Sequence, residues 1–234
     1  MPRIIEPRPE KSNPEQRRGK RLPFVLGYVG LLLLVTAFTI DVWVDSWVAS
    51  HQVAAWHQVA SACSRYFAWH WLMGMALVVL VIAWRIGRRD IMRVICAMMV
   101  ASSIAGLSAD FLRGMTGRTR PYFTEAPQGF YGVHDGSRWL ITKHAYNSFP
   151  SGHTAAITGF AVPLLLWRRF LVVVVVPLVA VVAAARIYLG AHHLSDVIAS
   201  MILGSIVAAW VWRQIGSGKW QLSAERFRQR RVPA

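Results

Sequence analysis

The sequence predicts an all-α, polytopic integral membrane protein built on a bundle of six transmembrane helices. Of its 234 residues, 55% are hydrophobic and only 16% are charged, which is more apolar than a soluble domain. A bilayer core about 30 Å thick requires about 20 mostly apolar residues per spanning helix. Apolar runs that meet or approach this length predict spans at 22–40, about 67–84, 94–112, 154–167, 170–185 and 197–212.

The first apolar run predicts a retained span, because 22–40 contains no charge and exceeds the roughly 7–15 residues of a signal-peptide core. Residues 1–21 are basic and lack apolar periodicity, which predicts a disordered cytoplasmic tail. Residues 22–212 form the membrane domain, and 213–234 form a second basic cytoplasmic tail. The last three runs are short and need flanking polar residues inside the bundle to span, which indicates a polar site there.

The connection 41–66 has two interpretations, an amphipathic helix along the membrane surface or an aromatic belt that anchors spans one and two. Both interpretations depend on apolar residues at near-helical spacing: Trp43, Trp47, Val53, Trp56, Val59 and Ala60. In span three, small residues at positions 101, 105 and 109 share one face, which predicts close contact with another helix.

Charge predicts the orientation of the chain in the membrane. A net charge of +15 would suggest a nucleic-acid partner for a soluble protein, but here we expect membrane lipids and no nucleic acid. Most of the 26 Lys and Arg residues fall in the tails and in connections two and four. By the positive-inside rule both termini are cytoplasmic, most simply at a bacterial inner membrane, with connections one, three and five on the periplasmic or extracellular side.

Three polar clusters interrupt the apolar chain, and all fall in connections three and five. The first runs over 113–121, the second over 150–154 and the third over 186–196. Because these connections face the same side, the clusters can meet. A cluster in an even connection would be separated from the others by about 30 Å of hydrocarbon.

The clusters supply the groups that a phosphate pocket needs. Arg113, Arg120 and Arg186 can each place two hydrogen bonds on phosphate oxygens. Ser151 and Gly152 open a helix whose N-terminal N–H groups favour anions. Each feature alone has a simpler explanation, since interfacial arginines contact lipid headgroups and Pro-Ser-Gly begins many helices. Their combination favours the pocket.

The third cluster pairs a histidine with a carboxylate. His192 and Asp196 are four residues apart and would share a helix face, so Asp196 is expected to accept a hydrogen bond from one ring nitrogen. The other nitrogen would then be a nucleophile, and His153 an acid that protonates the leaving alkoxide. Taken alone, the pair is typical of a helix cap, but two further clusters on the same side favour catalysis.

Metal-dependent hydrolysis is the competing chemistry. The outer loops contain His134, His144, Glu125 and Asp135 without the compact spacing of a metal site, and three arginines would repel a divalent ion. Cys63 and Cys96 lie in separate apolar segments and predict no thiolate cluster. We therefore expect phosphoryl transfer through a phosphohistidine with no metal and no cofactor.

In this order, the clusters resemble the three signature motifs of the type-2 phosphatidic acid phosphatase superfamily. Arg113-x6-Arg120-Pro121 matches Lys-x6-Arg-Pro, residues 150–153 match Pro-Ser-Gly-His, and the third cluster matches Ser-Arg-x5-His-x3-Asp. The resemblance covers about residues 90–212. Arg113 replaces the usual Lys, and Ala185 replaces the usual Ser, which removes one hydroxyl donor.

The resemblance implies a six-helix core with an active site open to the outer leaflet. It also implies that His192 is the nucleophile, His153 the general acid and Asp196 the partner that orients the nucleophile. The remaining motif residues would bind phosphate, namely Arg113, Arg120, Ser151, Gly152 and Arg186. Members of the family dephosphorylate lipid phosphates and pyrophosphates, while the soluble acid phosphatases and vanadium haloperoxidases that resemble them have fewer spans.

Three features are expected to lie outside the catalytic set. His193 is off the motif spacing and is assigned a structural role, because adjacent helix positions point about 100° apart. Asp110 is expected to form an ion pair with Arg113, three residues on. The loop at 122–149 is long enough to be a lid or a wall that selects substrate.

These observations predict a membrane phosphatase that acts on a lipid phosphate or pyrophosphate, with undecaprenyl pyrophosphate as the first candidate. Lipid A and phosphatidylglycerophosphate are the next candidates. A lipid phosphotransferase would use the same intermediate with a different acceptor. A noncatalytic membrane protein that binds lipid headgroups through its arginines is the alternative of another class.

Overall fold

A computed structural model describes residues 14–216, with side chains from residue 24 onward, and within this range the chain is helical with no β-strand. Two isolated β-bridges lie in the long connection after the fourth helix. The predicted all-α class is confirmed. The α-helices are α1 (Pro14–Ser50), α2 (Ala54–Tyr66), α3 (Trp69–Arg85), α4 (Arg89–Thr116), α5 (Gly152–Trp167), α6 (Val172–Tyr188) and α7 (Leu194–Val211).

The six predicted spans coincide with helices, but a count of six membrane crossings is not confirmed. Over the described residues, four segments are long and apolar enough to cross a membrane: Phe24–Ser50, Arg89–Thr116, Arg169–Tyr188 and Leu194–Ile215. Helices α2 and α3 reach that length only as a pair bent by 52°. Helix α5 has 16 residues and is a shorter apolar helix.

Helix α1 is longer at both ends than the sequence predicts. It continues past residue 40 to Ser50, which places Asp41 and Asp45 inside a span rather than in a connection. It also begins at Pro14, so residues 14–21 are helical although they were expected to be disordered, since most of them are good helix formers. The rest of the predicted basic tails, 1–13 and 217–234, lies outside the described residues.

Helices α4, α5 and α7 form the core and pack closely because their contacts are made by small residues. Ala101, Ala105 and Ala109 of α4 are completely buried, which confirms the predicted contact face. At Gly159 of α5 a Cβ atom would lie 2.7 Å from the carbonyl oxygen of Ala101. At Gly204 of α7 it would lie 2.8 Å from the carbonyl oxygen of Ala155. Glycine at these two positions allows the backbones to approach.

The connection 41–66 is divided between two helices. Its first part belongs to α1, and Ala54–Tyr66 forms α2, which packs against α6 and buries Ala60 and Ser64. Trp43, Trp47 and Trp56 remain exposed. The segment is therefore helical except at residues 51–53, and its placement along a membrane surface stays a prediction.

The connection from α4 to α5 folds back over the helix ends and brings the polar clusters together. Gly117 ends α4 with a φ of 58°, and a Cβ there would lie 1.9 Å from the carbonyl oxygen of Gly132. The backbone N–H of Ser148 donates to the carbonyl oxygen of Arg118, and that of Arg120 donates to Ala145. These bonds fix both ends of the connection beside the start of α5.

Candidate active site

His192 lies in the turn between α6 and α7, and its side chain is completely buried. Gly190 forms this turn with a φ of 64°, which glycine adopts without steric cost. Nδ1 of His192 lies 2.8 Å from the carbonyl oxygen of Ser148. Because a carbonyl can only accept, Nδ1 carries the proton and Nε2 holds the lone pair. Nε2 is buried and has no hydrogen-bond partner among residues 24–216.

Asp196 does not bind His192 in the predicted way. Its Oδ2 atom is 3.6 Å from Nδ1 of His192, while the hydroxyl of Ser148 donates to Oδ2 at 2.5 Å and the backbone N–H of His193 donates at 2.8 Å. Helix α7 begins only at Leu194, so the helical spacing that would align the two side chains does not extend to His192. Ser148 instead joins them, with its carbonyl on the histidine and its hydroxyl on the carboxylate.

Two residues of this site were given no role by the sequence, Arg118 and Asp41. Arg118 is buried and donates to Oδ1 of Asp196 at 2.5 Å and to Oδ2 of Asp41 at 2.8 Å. The sequence contained a signal for both, because Arg118 lies in the first cluster and Asp41 directly follows an apolar run. Charged residues within a membrane segment are expensive and usually functional.

The three predicted phosphate-binding arginines come from three parts of the chain. Arg113 in the last turn of α4 forms the expected ion pair with Asp110, at 2.5 Å. Arg120 follows α4 and donates to the carbonyl oxygen of Asn147 at 3.1 Å. Arg186 near the end of α6 donates to the hydroxyl of Ser64 in α2. The Nε atoms of Arg120 and Arg186 are buried without partners among the described residues, so both can still donate to a ligand.

The pKa values of two histidines show that these positive charges converge. Arg120, burial, Arg113 and Arg186 together lower the pKa of His144. Burial lowers the pKa of His192 to about 4, with Arg186 and Arg120 acting in the same direction and Asp196 opposing them. His192 is therefore neutral at physiological pH, which keeps the lone pair on Nε2 available.

Helix α5 begins at the edge of this positive region. Ser151 is its buried N-cap, and the first N–H groups of a helix have no partner within the helix. Gly152 lies so close to α4 that a Cβ would be 2.9 Å from Oδ1 of Asp110 and 3.4 Å from a guanidinium nitrogen of Arg113. Glycine at residue 152 therefore allows the start of α5 to lie directly against the ion pair of Asp110 and Arg113.

A cavity of about 590 Å³ opens beside the start of α5. Of the eight predicted site residues, Arg113, Gly152 and His153 line it. The other lining residues come from the start of α3, from α4 and from α5: Ala68, Trp69, His70, Ser103, Gly106, Leu107, Asp110 and Ala156. Along α4 the lining thus changes from the charged pair Asp110 and Arg113 to the apolar and small residues Leu107 and Gly106.

Two of the residues considered for a metal site in the outer loop, Asp135 and His144, have other partners. Asp135 accepts hydrogen bonds from Ser137 and Arg138, and His144 contacts the hydroxyl of Tyr122 at 2.9 Å. The described part of the chain contains no group of three or more His, Cys, Asp or Glu side chains placed to hold a metal ion. His193 contacts Asp45 and the carbonyl oxygen of Thr119, which supports the structural role expected for it.

Comparison with known proteins agrees with this geometry. Residues 90–220, more than half of the chain, match the model of the PAP2 superfamily. The chain belongs to the PAP2 superfamily. The predicted resemblance is confirmed, and the matched region holds all eight predicted site residues, while α1, α2 and α3 lie before it.

Two characterised relatives are lipid phosphatases. The PAP2 chain is 30% identical to lipid phosphate phosphatase 1 of Arabidopsis thaliana over 148 residues, which cover 53% of this chain and 45% of that protein. It is 33% identical to the lipid A 1-phosphatase of Rhizobium etli over 120 residues, 48% of this chain and 47% of that protein. The PAP2 chain spans about half the length of these relatives.

Two solved structures have a similar fold, and one of them is described as a transmembrane PAP2-type phosphatase. The PAP2-type phosphatidylglycerolphosphate phosphatase of Bacillus subtilis has a TM-score of 0.57 and 18% identity, covering 82% of this chain and 94% of that one. LpxE of Aquifex aeolicus has a TM-score of 0.52 and 15% identity, covering 74% and 95%. At this identity the likeness establishes the fold, a helical membrane PAP2 architecture.

Proposed function

We propose that this protein is an integral membrane phosphatase that hydrolyses a lipid phosphate or pyrophosphate through a phosphohistidine on His192. One observation carries the proposal: Nε2 of His192 and the Nε atoms of Arg120 and Arg186 are buried polar atoms without partners among the described residues. Buried polar groups are normally satisfied, so groups left open together are those that a ligand completes. A phosphate supplies acceptors for the arginines and a phosphorus atom for the histidine.

In the first step, the lone pair on Nε2 of His192 attacks the terminal phosphorus and the bond from that phosphorus to the leaving oxygen breaks. The leaving oxygen is the lipid oxygen of a phosphate monoester or the bridging oxygen of a pyrophosphate. The leaving oxygen takes a proton from His153, which lines the cavity beside Arg113. The phosphorylated ring becomes an imidazolium, and the Ser148 carbonyl that accepts from Nδ1 stabilises it. Arg113, Arg120 and Arg186 neutralise the phosphoryl oxygens, assisted by the N–H groups of Ser151 and Gly152.

In the second step, a water molecule attacks the phosphohistidine. His153, now neutral, takes a proton from that water, the N–P bond breaks, and inorganic phosphate leaves. Asp196 acts as a positioning residue, because its carboxylate holds the hydroxyl of the same Ser148 whose carbonyl orients His192. Positive charge in this mechanism comes from arginines, so we propose that the reaction needs no metal ion and no cofactor.

The proposed substrate class is supported by the cavity, whose lining along α4 changes from charged to apolar residues. A phosphate beside Arg113 would leave a lipid chain free to run along Leu107 and Gly106 of α4. We propose undecaprenyl pyrophosphate as the first candidate, because two phosphates suit three arginines. Lipid A and phosphatidylglycerophosphate follow, supported by the names of the relatives and of the structural neighbours.

The proposed arrangement in the membrane has six spans, in which α2 with α3 and the short α5 each make one crossing. Both basic tails would then be cytoplasmic, and the site would face the periplasm or exterior of a bacterial inner membrane. Support comes from the charge distribution and from the packing, which brings connections three and five together at one end of the bundle.

The full-length protein in detergent, assayed for phosphate release from these lipids and from phosphatidic acid, tests the proposal. We expect release from at least one lipid, abolished by His192→Ala and retained by His57→Ala, a matched change at an exposed histidine of α2. Phosphate transfer to an added alcohol in place of water would identify a phosphotransferase. Headgroup binding without turnover, unaffected by loss of His153 and His192, would identify a binding protein.

A further inference from the structure

Helix α1 lies outside the region that matches the family, yet it contributes a charged group to the site. Asp41 is 3% exposed although it lies in the segment Phe24–Ser50, whose other face carries exposed apolar residues. A carboxylate in a membrane span is costly unless it is paired. The cost indicates that Asp41 serves a purpose beyond anchoring an apolar helix, which packing alone would achieve.

Among the described residues, the polar contacts of Asp41 are with Arg118 of the first cluster and Ser195 of the third. Oδ2 accepts from Arg118 at 2.8 Å, and both the backbone N–H and the hydroxyl of Ser195 donate to the same carboxylate. The other guanidinium nitrogen of Arg118 donates to Oδ1 of Asp196 at 2.5 Å and to the Ser195 hydroxyl at 2.6 Å. Arg118 thus bridges two carboxylates from different helices.

The position of Arg118 is fixed by aromatic rings as well as by ions. Its guanidinium carbon lies 5.1 Å from the ring centroid of Phe38, 4.9 Å from that of Phe130 and 6.0 Å from that of Phe149. The faces of aromatic rings attract cations, particularly where water is excluded. Phe38 lies one turn before Asp41 on α1, so the same helix face supplies both a ring and a carboxylate.

We propose that Asp41 and Arg118 are positioning residues that hold Asp196, and through Ser148 the imidazole of His192, in the geometry of the transition state. This inference rests on the proposed function. The chain of contacts runs from Asp41 to Arg118, to Asp196, to the Ser148 hydroxyl, and from the Ser148 carbonyl to Nδ1 of His192. The imidazole becomes positive only when Nε2 is bonded to phosphorus, so its anionic surroundings matter most at that point.

Asp45 supplies a matched comparison on the same helix. It is a half-buried carboxylate and contacts Nδ1 of His193 at 2.6 Å, while Nε2 of His193 contacts the carbonyl oxygen of Thr119. This pair anchors α1 to the start of α7, and among the described residues its side chains form no hydrogen bond to the carboxylate of Asp196, which accepts from the backbone N–H of His193. Loss of the Asp45 carboxylate should therefore weaken the anchoring of α1 to α7, and it should not selectively weaken binding of the transition state.

The test uses the full-length protein and compares Asp41→Asn with Asp45→Asn. We expect Asp41→Asn to lower kcat by roughly 10- to 100-fold, the range for a hydrogen bond to a charged group, with KM changed less than about threefold. Inhibition by orthovanadate, which can adopt the five-coordinate geometry of the transition state, should weaken by a similar factor, while inhibition by inorganic phosphate stays the same. Asp45→Asn should lower thermal stability, and it should not weaken inhibition by orthovanadate more than inhibition by inorganic phosphate.

Two further variants keep the test decisive if Asp41→Asn does not fold. Ser195→Ala removes only the hydroxyl shared by Asp41 and Arg118, and should lower kcat by roughly 3- to 10-fold with the same selective loss of orthovanadate binding. Arg118→Lys keeps the charge but cannot bridge both carboxylates. Because Asp41 acts through Arg118, the double variant of Asp41→Asn and Arg118→Lys should lose less than the product of the single losses.

Equal weakening of orthovanadate and phosphate by Asp41→Asn, or losses that multiply in the double variant, would show that Asp41 is only a structural anchor. The same conclusion would follow if Asp45→Asn reproduced every effect of Asp41→Asn. A fully active His192→Ala protein is a different outcome, because it would remove the proposed phosphohistidine itself.

Discussion

Ser148 accepts a hydrogen bond from Nδ1 of His192 at 2.8 Å, and the accepting atom is its backbone carbonyl oxygen. A substitution of the serine side chain leaves that backbone acceptor in place. A mutation at residue 148 should therefore leave the proton of His192 on Nδ1. The hydroxyl of Ser148 has a separate task, since it donates to Oδ2 of Asp196 at 2.5 Å. The two functions of this residue can therefore be separated by experiment.

Ser148→Ala should lower kcat by roughly 10- to 100-fold, because it removes the hydrogen bond to a charged carboxylate through which Asp196 acts on the histidine, while the backbone carbonyl still accepts from Nδ1. Asp196→Ala should be more severe, by roughly 100-fold or more, since it leaves Arg118 and the His193 N–H without their buried acceptor. Steady-state rates on the best lipid substrate measure both. Equal losses in the two variants would contradict a positioning role that passes through the backbone of Ser148.

The acid limb of kcat/KM should lie near pH 4 rather than near 6.5, because burial lowers the pKa of His192 to about 4 and the lone pair persists until then. Stability should follow the same group. The unfolded chain takes up this proton near pH 6.5, so stability is complete above that value and falls by roughly 3 kcal/mol as pH drops to about 4.

Melting temperatures in detergent at pH 7 and pH 5, for the parent and for His192→Gln, isolate this contribution. The parent should lose more stability than the variant between the two pH values. An acid limb at pH 6 or above, or equal losses in the two proteins, would show that His192 titrates as an ordinary histidine.

The sequence predicted which side chains belong to the site better than which of them contact each other. Counting spans predicted that Arg113, Arg120 and Arg186 lie together, and all three act on the pKa of His144. Their common role in binding phosphate stays a prediction. The predicted ion pair between Asp110 and Arg113 is confirmed, since residues three apart meet within a single helix. Such predictions need only periodicity and length.

Contacts that depend on where a helix begins or ends were either predicted wrongly or missed. The direct hydrogen bond from His192 to Asp196 requires a helix that includes both residues, and α7 begins two residues too late. The proposed role of Asp41 depends on α1 continuing past residue 40 and packing beside Arg118, a tertiary contact that the position of Asp41 after an apolar run does not reveal. The predicted count of six crossings is not confirmed, because α2 and α3 meet at a bend that composition does not reveal.

Gly152→Ala should lower kcat/KM by at least roughly 10-fold. The new Cβ would lie 2.9 Å from Oδ1 of Asp110 and 3.4 Å from a nitrogen of Arg113, so the ion pair would have to move into the space proposed for phosphate. Gly74→Ala is the control, because a Cβ there meets no atom within 4 Å and alanine favours the helix of α3. Equal activity of the two variants would place the phosphate away from Gly152.

Activity should persist in EDTA, since the proposed mechanism balances the charge of the phosphoryl oxygens with arginines. The measurement is phosphate release after dialysis against chelator, with and without added Mg²⁺. Arg186→Met should lower the rate by roughly 100-fold or more under both conditions, because a neutral side chain restores no charge. Complete loss in EDTA that Mg²⁺ reverses would contradict the arginine mechanism.

The proposed orientation places connections three and five on the outer surface, and cysteine labelling in intact cells tests it. Gly117 is unsuitable for this purpose, because any Cβ there would lie 1.9 Å from the carbonyl oxygen of Gly132. Lys143→Cys and Leu189→Cys, in a background with Cys63 and Cys96 changed to Ala, should react with a membrane-impermeant maleimide. Arg168→Cys, at the exposed start of the connection from α5 to α6, should react only after permeabilisation.

Labelling of residues 143 and 189 from opposite surfaces would separate their connections by about 30 Å of hydrocarbon. The hydrogen bond between Ser148 and His192 joins the same two connections and spans only 2.8 Å, so both arrangements cannot hold in one protein. Labelling of residues 143 and 189 from the same surface is therefore what an assembled site requires. The side from which residue 168 is labelled then shows which surface of the membrane the site faces.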